Sequence, residues 1–120
     1  RLIASWRNCI ITGSGTDELN MVDATSGKEP FAWEVMFANC VVRVKDLLDD
    51  YPNFLSQCRD CVENKEYTDP LFVNIDMAQY QLDTLSIAQD KAKPLPGITA
   101  DIDDQPRDNM PDIGCYERKE

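Results

Sequence analysis

Histidine is absent from this 120-residue chain. Its absence removes the commonest general base, the usual imidazole metal ligand and the side chain that titrates near neutral pH. Any catalysis would have to use carboxylates, Lys, Arg, Tyr or Cys. Long apolar runs are missing as well, and nothing approaches the ~18 residues of a membrane span. Basic residues are few, 12 against 22 Asp and Glu, for a net charge of −10. They are scattered along the sequence, so neither a phosphate backbone nor an anionic membrane surface is an expected partner. No low-complexity stretch or linker divides the chain, which reads as one unit. Beginning at Arg1 without a signal peptide, it reads as a mature or truncated piece of a longer protein.

What the chain does have is a repeat. Trp6-Arg7-Asn8-Cys9-Ile10-Ile11 and Phe37-Ala38-Asn39-Cys40-Val41-Val42 share an aromatic, an Asn-Cys pair and two β-branched residues. Arg59-Asp60-Cys61-Val62 repeats the pattern with Asp in place of Asn. Cys40 lies 31 positions after Cys9, and Cys61 a further 21. Periods of roughly 20–50 residues mark stacked architectures, in which each unit buries its apolar face against its neighbours. The longer interval implies about ten inserted residues, placed at the polar loop 23–30.

Equivalent places in successive units make Cys9, Cys40 and Cys61 small interior packing groups. Five cysteines leave at least one thiol unpaired within the chain. Cys58-x-x-Cys61 is the one close pair, and alone it is a weak signal for redox chemistry or zinc. Asn8 and Asn39 are expected to hydrogen-bond their own backbone and their counterparts in adjacent units, with Asp60 substituting as an acceptor.

Residues 2–12 read as a strand closed by Gly13-Ser14-Gly15, with a second short strand at 17–22. The stretch 31–44 is apolar and alternates from Phe31 to Phe37, which predicts a strand with one buried face. Leu47 and Leu48 predict a short helix over 46–50, broken by Pro52. Its apolar side is expected to cover an edge of the stack. Brief strands follow near 71–74 and 80–82, and 91–97 is a loop stiffened by Pro94 and Pro96.

The tail carries a resemblance. Asp69-Pro70-Leu71-Phe72-Val73, Tyr80-Gln81-Leu82, Asp101-Ile102-Asp103 with Pro106-Arg107, and Pro111-Asp112-Ile113-Gly114-Cys115-Tyr116-Glu117 follow in order. This order resembles the C-terminal end of right-handed parallel β-helix proteins of the Bacteroides surface type, within the pectate-lyase-like superfamily. The chain departs from that pattern at Ile87, Ala92, Asp104 and Cys115, where the family commonly has Pro, Gly, Gly and Ala. The resemblance implies an all-β fold: the last two or three coils of a right-handed parallel β-helix (1–75) and a C-terminal cap of short strands and loops (76–120). In the cap, Arg107 is expected to pair with a local carboxylate, and Asp112 to Glu117, around Gly114, to form a strand sealing the open edge.

The resemblance further implies a cell-surface or secreted module, extracellular or anchored at the outer membrane, that binds carbohydrate or host glycan without catalysis. The competing readings are the end of a polysaccharide lyase or glycoside hydrolase whose site lies upstream, and a purely structural spacer or adhesin stalk. Asp101, Asp103 and Asp104 are the calcium candidates, although Asx-turn chemistry explains them without a metal; no other cofactor is expected. Trp33 and Tyr51, near loops, are the candidate sugar-stacking aromatics, whereas Trp6 and Phe37 share a repeat position and are expected to be buried. Expected partners are carbohydrate, further coils of the same protein and, through an exposed first coil, a second copy.

Overall fold

The computed structural model describes residues 2–20, 25–28 and 33–118; for Trp33 it describes the backbone alone. The inserted loop at 23–30 and the start of the alternation at Phe31 therefore fall partly outside the described residues. The two full copies of the aromatic-x-Asn-Cys motif each make a strand, a corner and a second strand. β1 (Leu2–Arg7) turns at Asn8 into β2 (Ile10–Ile11), and β3 (Trp33–Ala38) turns at Asn39 into β4 (Val41–Val42). The third copy turns at Asp60 into β5 (Val62–Glu63).

All three corner residues are left-handed, with φ of 52°, 51° and 51° at Asn8, Asn39 and Asp60. Asn and Asp are the non-glycine residues that tolerate this region best, which is why the motif is written with them. The strands on each side of the corners stack in parallel. Trp6 pairs with Phe37 and Ile10 with Val41, while Val62 pairs with Val41 on its other side. Hydrogen bonds run evenly between layers, from Val41 N–H to the Cys9 carbonyl at 2.9 Å and from Val62 N–H to that of Cys40 at 2.8 Å. The repeat in the sequence is thus a stack of three parallel layers.

Alternation across β2, β4 and β5 divides the core in two. Ile11 and Val42 face inward with Phe37, Cys40, Val44, Leu47 and Phe54. Ile10, Val41 and Val62 face outward and are covered by Leu71, Leu82, Ala88 and Ile113. The inner column ends at Glu63, which occupies the place of Val42 in the third layer and ion-pairs with exposed Lys65 at 3.8 Å.

Between β4 and β5 the chain makes α1 (Asp46–Asp50) and α2 (Phe54–Gln57), separated at Pro52. The helix expected over 46–50 is present, and a second turn of helix follows it. Leu47 and Phe54 bury their side chains, Phe54 packing edge-on against Phe37 at 5.8 Å. α1 has no local side-chain cap. Asp17 supplies one from 30 residues away, accepting the N–H of Lys45 and, at 2.8 Å, that of Leu47. Residues 17–20, read from sequence as part of a strand, form none.

The tail starts with an antiparallel pair, β6 (Phe72–Asn74) and β7 (Gln79–Leu82). Beyond it the chain is irregular, and the strand expected from Asp112 to Glu117 is replaced by bends. Its hydrogen bonds go sideways instead: Gly114 N–H donates to the Asn8 carbonyl at 3.0 Å, and Ile102 N–H to that of Cys115 at 3.0 Å. Gly114 has φ 110°, a conformation that favours glycine, and a Cβ there would press on Ile10 Cδ1 at 2.8 Å. The sequence places the tail over the end of the stack. The structure lays it along the flank, touching all three layers through Ile10, Val41 and Val62.

Candidate functional site

The side chains singled out in the sequence fall into three groups. The corner residues are structural, but not by laddering on one another. Asn8 donates to the Lys93 carbonyl at 2.7 Å and accepts its N–H at 3.1 Å; Asn39 donates to the Lys91 carbonyl at 3.0 Å. The two amides fasten the tail segment along the stacked corners. Both amides are taken up by the tail peptide instead, and among the described residues they make no hydrogen bond to each other.

Cys40 is fully buried, and burial pushes its thiol above the usual range, against the hydrogen bonding of Cys9 and Ala38. It donates to the Ala38 carbonyl at 3.4 Å, and Cys9 donates to that of Arg7 at 3.1 Å. Cys40 belongs to the inner core cluster, and Cys9 packs against it. Cys61 is not a free thiol: it bonds Cys58, with their Cα atoms 5.5 Å apart. The bond lies within one layer, tying the end of α2 to the third corner. Parallel stacking deprived Cys61 of a good partner above or below, while α2 presented Cys58 from its own layer.

Trp6 stacks on Phe37 at 6.4 Å with its ring nearly parallel, yet remains 48% exposed. Among the described residues none covers the outer side of Trp6, so the motif position alone does not bury it. Tyr51 is exposed at the end of α1. Tyr67, also exposed, is used within the fold: Arg43 lies 3.8 Å from its ring centre, and its hydroxyl donates to the Ser14 carbonyl at 2.6 Å. Arg43 itself is buried, donating from Nε to the Gly15 carbonyl at 2.7 Å. Its guanidinium is a clamp between loops rather than a solvent-facing base.

The carboxylates of the tail are also committed. Asp101 accepts the N–H groups of Asp103 and Gln105 at 2.8 Å each on Oδ1, and that of Glu117 at 2.7 Å on Oδ2. Burial alone would push this carboxyl up; the three amides and the Arg107 charge outweigh it and hold it below the usual range. Asp103 and Asp104 are exposed, Asp104 in a left-handed conformation with φ 60°. Among the described residues no three His, Cys, Asp or Glu side chains converge on a place for a metal ion. Arg107 ion-pairs with Glu117 and donates to the carbonyls of Asp112 and Gly114 at 3.0 and 2.7 Å. Asp112 accepts the N–H groups of Asp90 and Arg118 at 2.7 and 2.6 Å. These groups knit the tail together.

An apolar recess lies elsewhere. A groove of about 620 Å³ opens where the β6–β7 pair and the tail meet the first layer, lined by Phe72, Tyr80, Tyr116, Ile10, Leu82 and Gly114 among others. Phe72 and Tyr80 stand edge to face at 5.5 Å. No Asp, Glu, Lys or Arg lines it. Such a recess offers flat apolar faces with hydroxyl handles, and holds nothing that can act as a carboxylate acid–base pair. Tyr51 does not line it. The β-alternation of 72–82 marks Phe72 and Tyr80 as neighbours; Tyr116 joins them only through the path of the tail. Among the described residues no helix is long and apolar enough to cross a membrane. No protein-family model, curated protein or solved structure matches this chain.

Proposed function

We propose that the chain is the terminal part of a right-handed parallel β-helix and serves as a non-catalytic carbohydrate-binding module of a cell-surface or secreted protein. Support for the scaffold comes from the three parallel layers and their matched left-handed corners. The Cys58–Cys61 bond suits an oxidising, extracellular setting. The observation that carries the function is the aromatic groove: Phe72, Tyr80 and Tyr116 around a recess with no charged side chain. Apolar ring faces of this kind stack on the C–H faces of a sugar, and the absence of carboxylates favours holding a sugar over cleaving it.

A panel of neutral oligosaccharides tests this directly. At least one binds the parent chain, and Tyr80→Ala weakens it by about tenfold, the worth of one good aromatic contact. The melting temperature changes little because Tyr80 is 47% exposed. Absence of binding across the panel, binding indifferent to Tyr80→Ala, or cleavage of a bound sugar would each overturn the proposal.

A further inference from the structure

Basic side chains that are scattered in the sequence are gathered by the fold. Arg7, at the end of β1, and Arg59 occupy one register column on either side of Ala38. With strands ~4.8 Å apart, the two positions stand ~10 Å apart across a methyl group. Together with Met36, Lys93 and the stiff Pro94–Pro96 segment, they line an open cleft of about 250 Å³. Asn8 holds the Lys93 backbone in place through its N–H and carbonyl.

Three cations therefore share one cleft in a chain of net charge −10, and no Asp or Glu lines it. Asp60 follows Arg59 at the corner, and Glu34 lies on the outward face of β3, but neither borders the cleft. Among the described residues the side chains of Arg59 and Lys93 make no ion pair, and Arg7 has only a long contact to Ser5 Oγ at 3.4 Å. Like-charged groups gathered in one cleft with no carboxylate along its lining suit an oxyanion.

We propose that this cleft binds a sulfated sugar chain, one sulfate ester at Arg7, where Lys93 stands beside the first corner, and another at Arg59. The oxyanion follows from the cleft; the sugar rests on the carbohydrate reading above. A sulfate ester spreads one charge over three oxygens, so a guanidinium fork can take two and an ammonium the third. Its weak hydration also matches that of guanidinium, which a compact carboxylate does not. A phosphate backbone brings charge at every step against the acidic remainder of the surface, whereas spaced sulfates bring it only where the cations stand.

The test titrates the full chain by calorimetry with four probes: a sulfated tetrasaccharide, its desulfated counterpart, a neutral oligosaccharide and a single-stranded oligonucleotide. The sulfated sugar binds tightest, and Arg7→Gln/Arg59→Gln weakens it by roughly 10- to 100-fold, as expected for two lost charged hydrogen bonds. Neutral-sugar binding at the aromatic groove and the melting temperature stay as in the parent. Sulfated binding that is lost in the double variant while no neutral sugar binds upholds this cleft and removes the groove reading. No sulfated binding, equal binding of the desulfated sugar or the oligonucleotide, or a double variant that binds like the parent overturns the proposal.

Discussion

Replacing Ile113 by alanine lowers the unfolding free energy by about 3 kcal/mol, within the range measured for emptying a core isoleucine site. Ile113 has no exposed surface and packs with Val41, Leu71, Leu82 and Ala88. Its own N–H donates to the Ala88 carbonyl at 2.9 Å, and the next residue donates to Asn8. The side chain is therefore the apolar pin holding the tail on the outward face of β2, β4 and β5. A loss of this size is a large share of the roughly 5–15 kcal/mol that holds a domain folded. Urea titration followed by tryptophan fluorescence measures it. Ile102→Ala is the control: that side chain is 67% exposed, and its removal should change stability by less than ~0.5 kcal/mol. Equal effects at the two positions would mean that the tail does not lie where it is placed here.

Asp101→Asn costs about 2–4 kcal/mol at neutral pH, and the cost disappears in acid. The carboxylate is buried and accepts three backbone N–H groups, so the amide leaves at least one of them poorly satisfied and removes the charge from all three. Burial raises this carboxyl, but the amides of Glu117, Gln105 and Asp103 and the charge of Arg107 bring it below the usual range. The folded chain thus binds this proton less readily than the unfolded chain. The stabilisation is complete above the unfolded pKa of about 3.9 and is lost as pH falls through the lower folded value. Asp69 acts in the same direction, held down chiefly by the Glu66 amide. Glu117 acts oppositely: burial raises its carboxyl, so its contribution is present in acid and lost as pH rises through the folded value. Stability curves from pH 7 to pH 2 should show parent and Asp101→Asn converging as pH falls below the ordinary carboxylate range. Curves that stay parallel throughout would remove Asp101 from the acid response.

The repeat was legible because it is local. A left-handed Asn or Asp followed by Cys and a β-branched residue marks each corner, and the three corners share one geometry. The short helix at 46–50 was equally plain, since Pro52 bounds it. What the sequence hid depends on where distant segments pass. Asn8 and Asn39 bind residues 91–93, a contact over 85 positions for Asn8. Asp17 caps a helix across 30 positions, and nothing near it announces that role. Cys61 shares its motif place with Cys9 and Cys40, but only in its layer does a helix deliver a second thiol. The two candidate clefts are hidden for the same reason: Tyr116 reaches the aromatic groove, and Lys93 the basic one, through a tail whose path is set by Ile113 and Gly114 rather than by any local pattern.

The three corners stack in parallel, with the tail on their flank. An isotope-edited nuclear Overhauser spectrum reads this arrangement most directly. Cross-peaks should join the Val41 amide to Cys9 and Ile10 and the Val62 amide to Cys40 and Val41, with the Gly114 amide near Asn8. Cross-peaks of antiparallel pairing among these segments, or none between Gly114 and Asn8, would contradict the account.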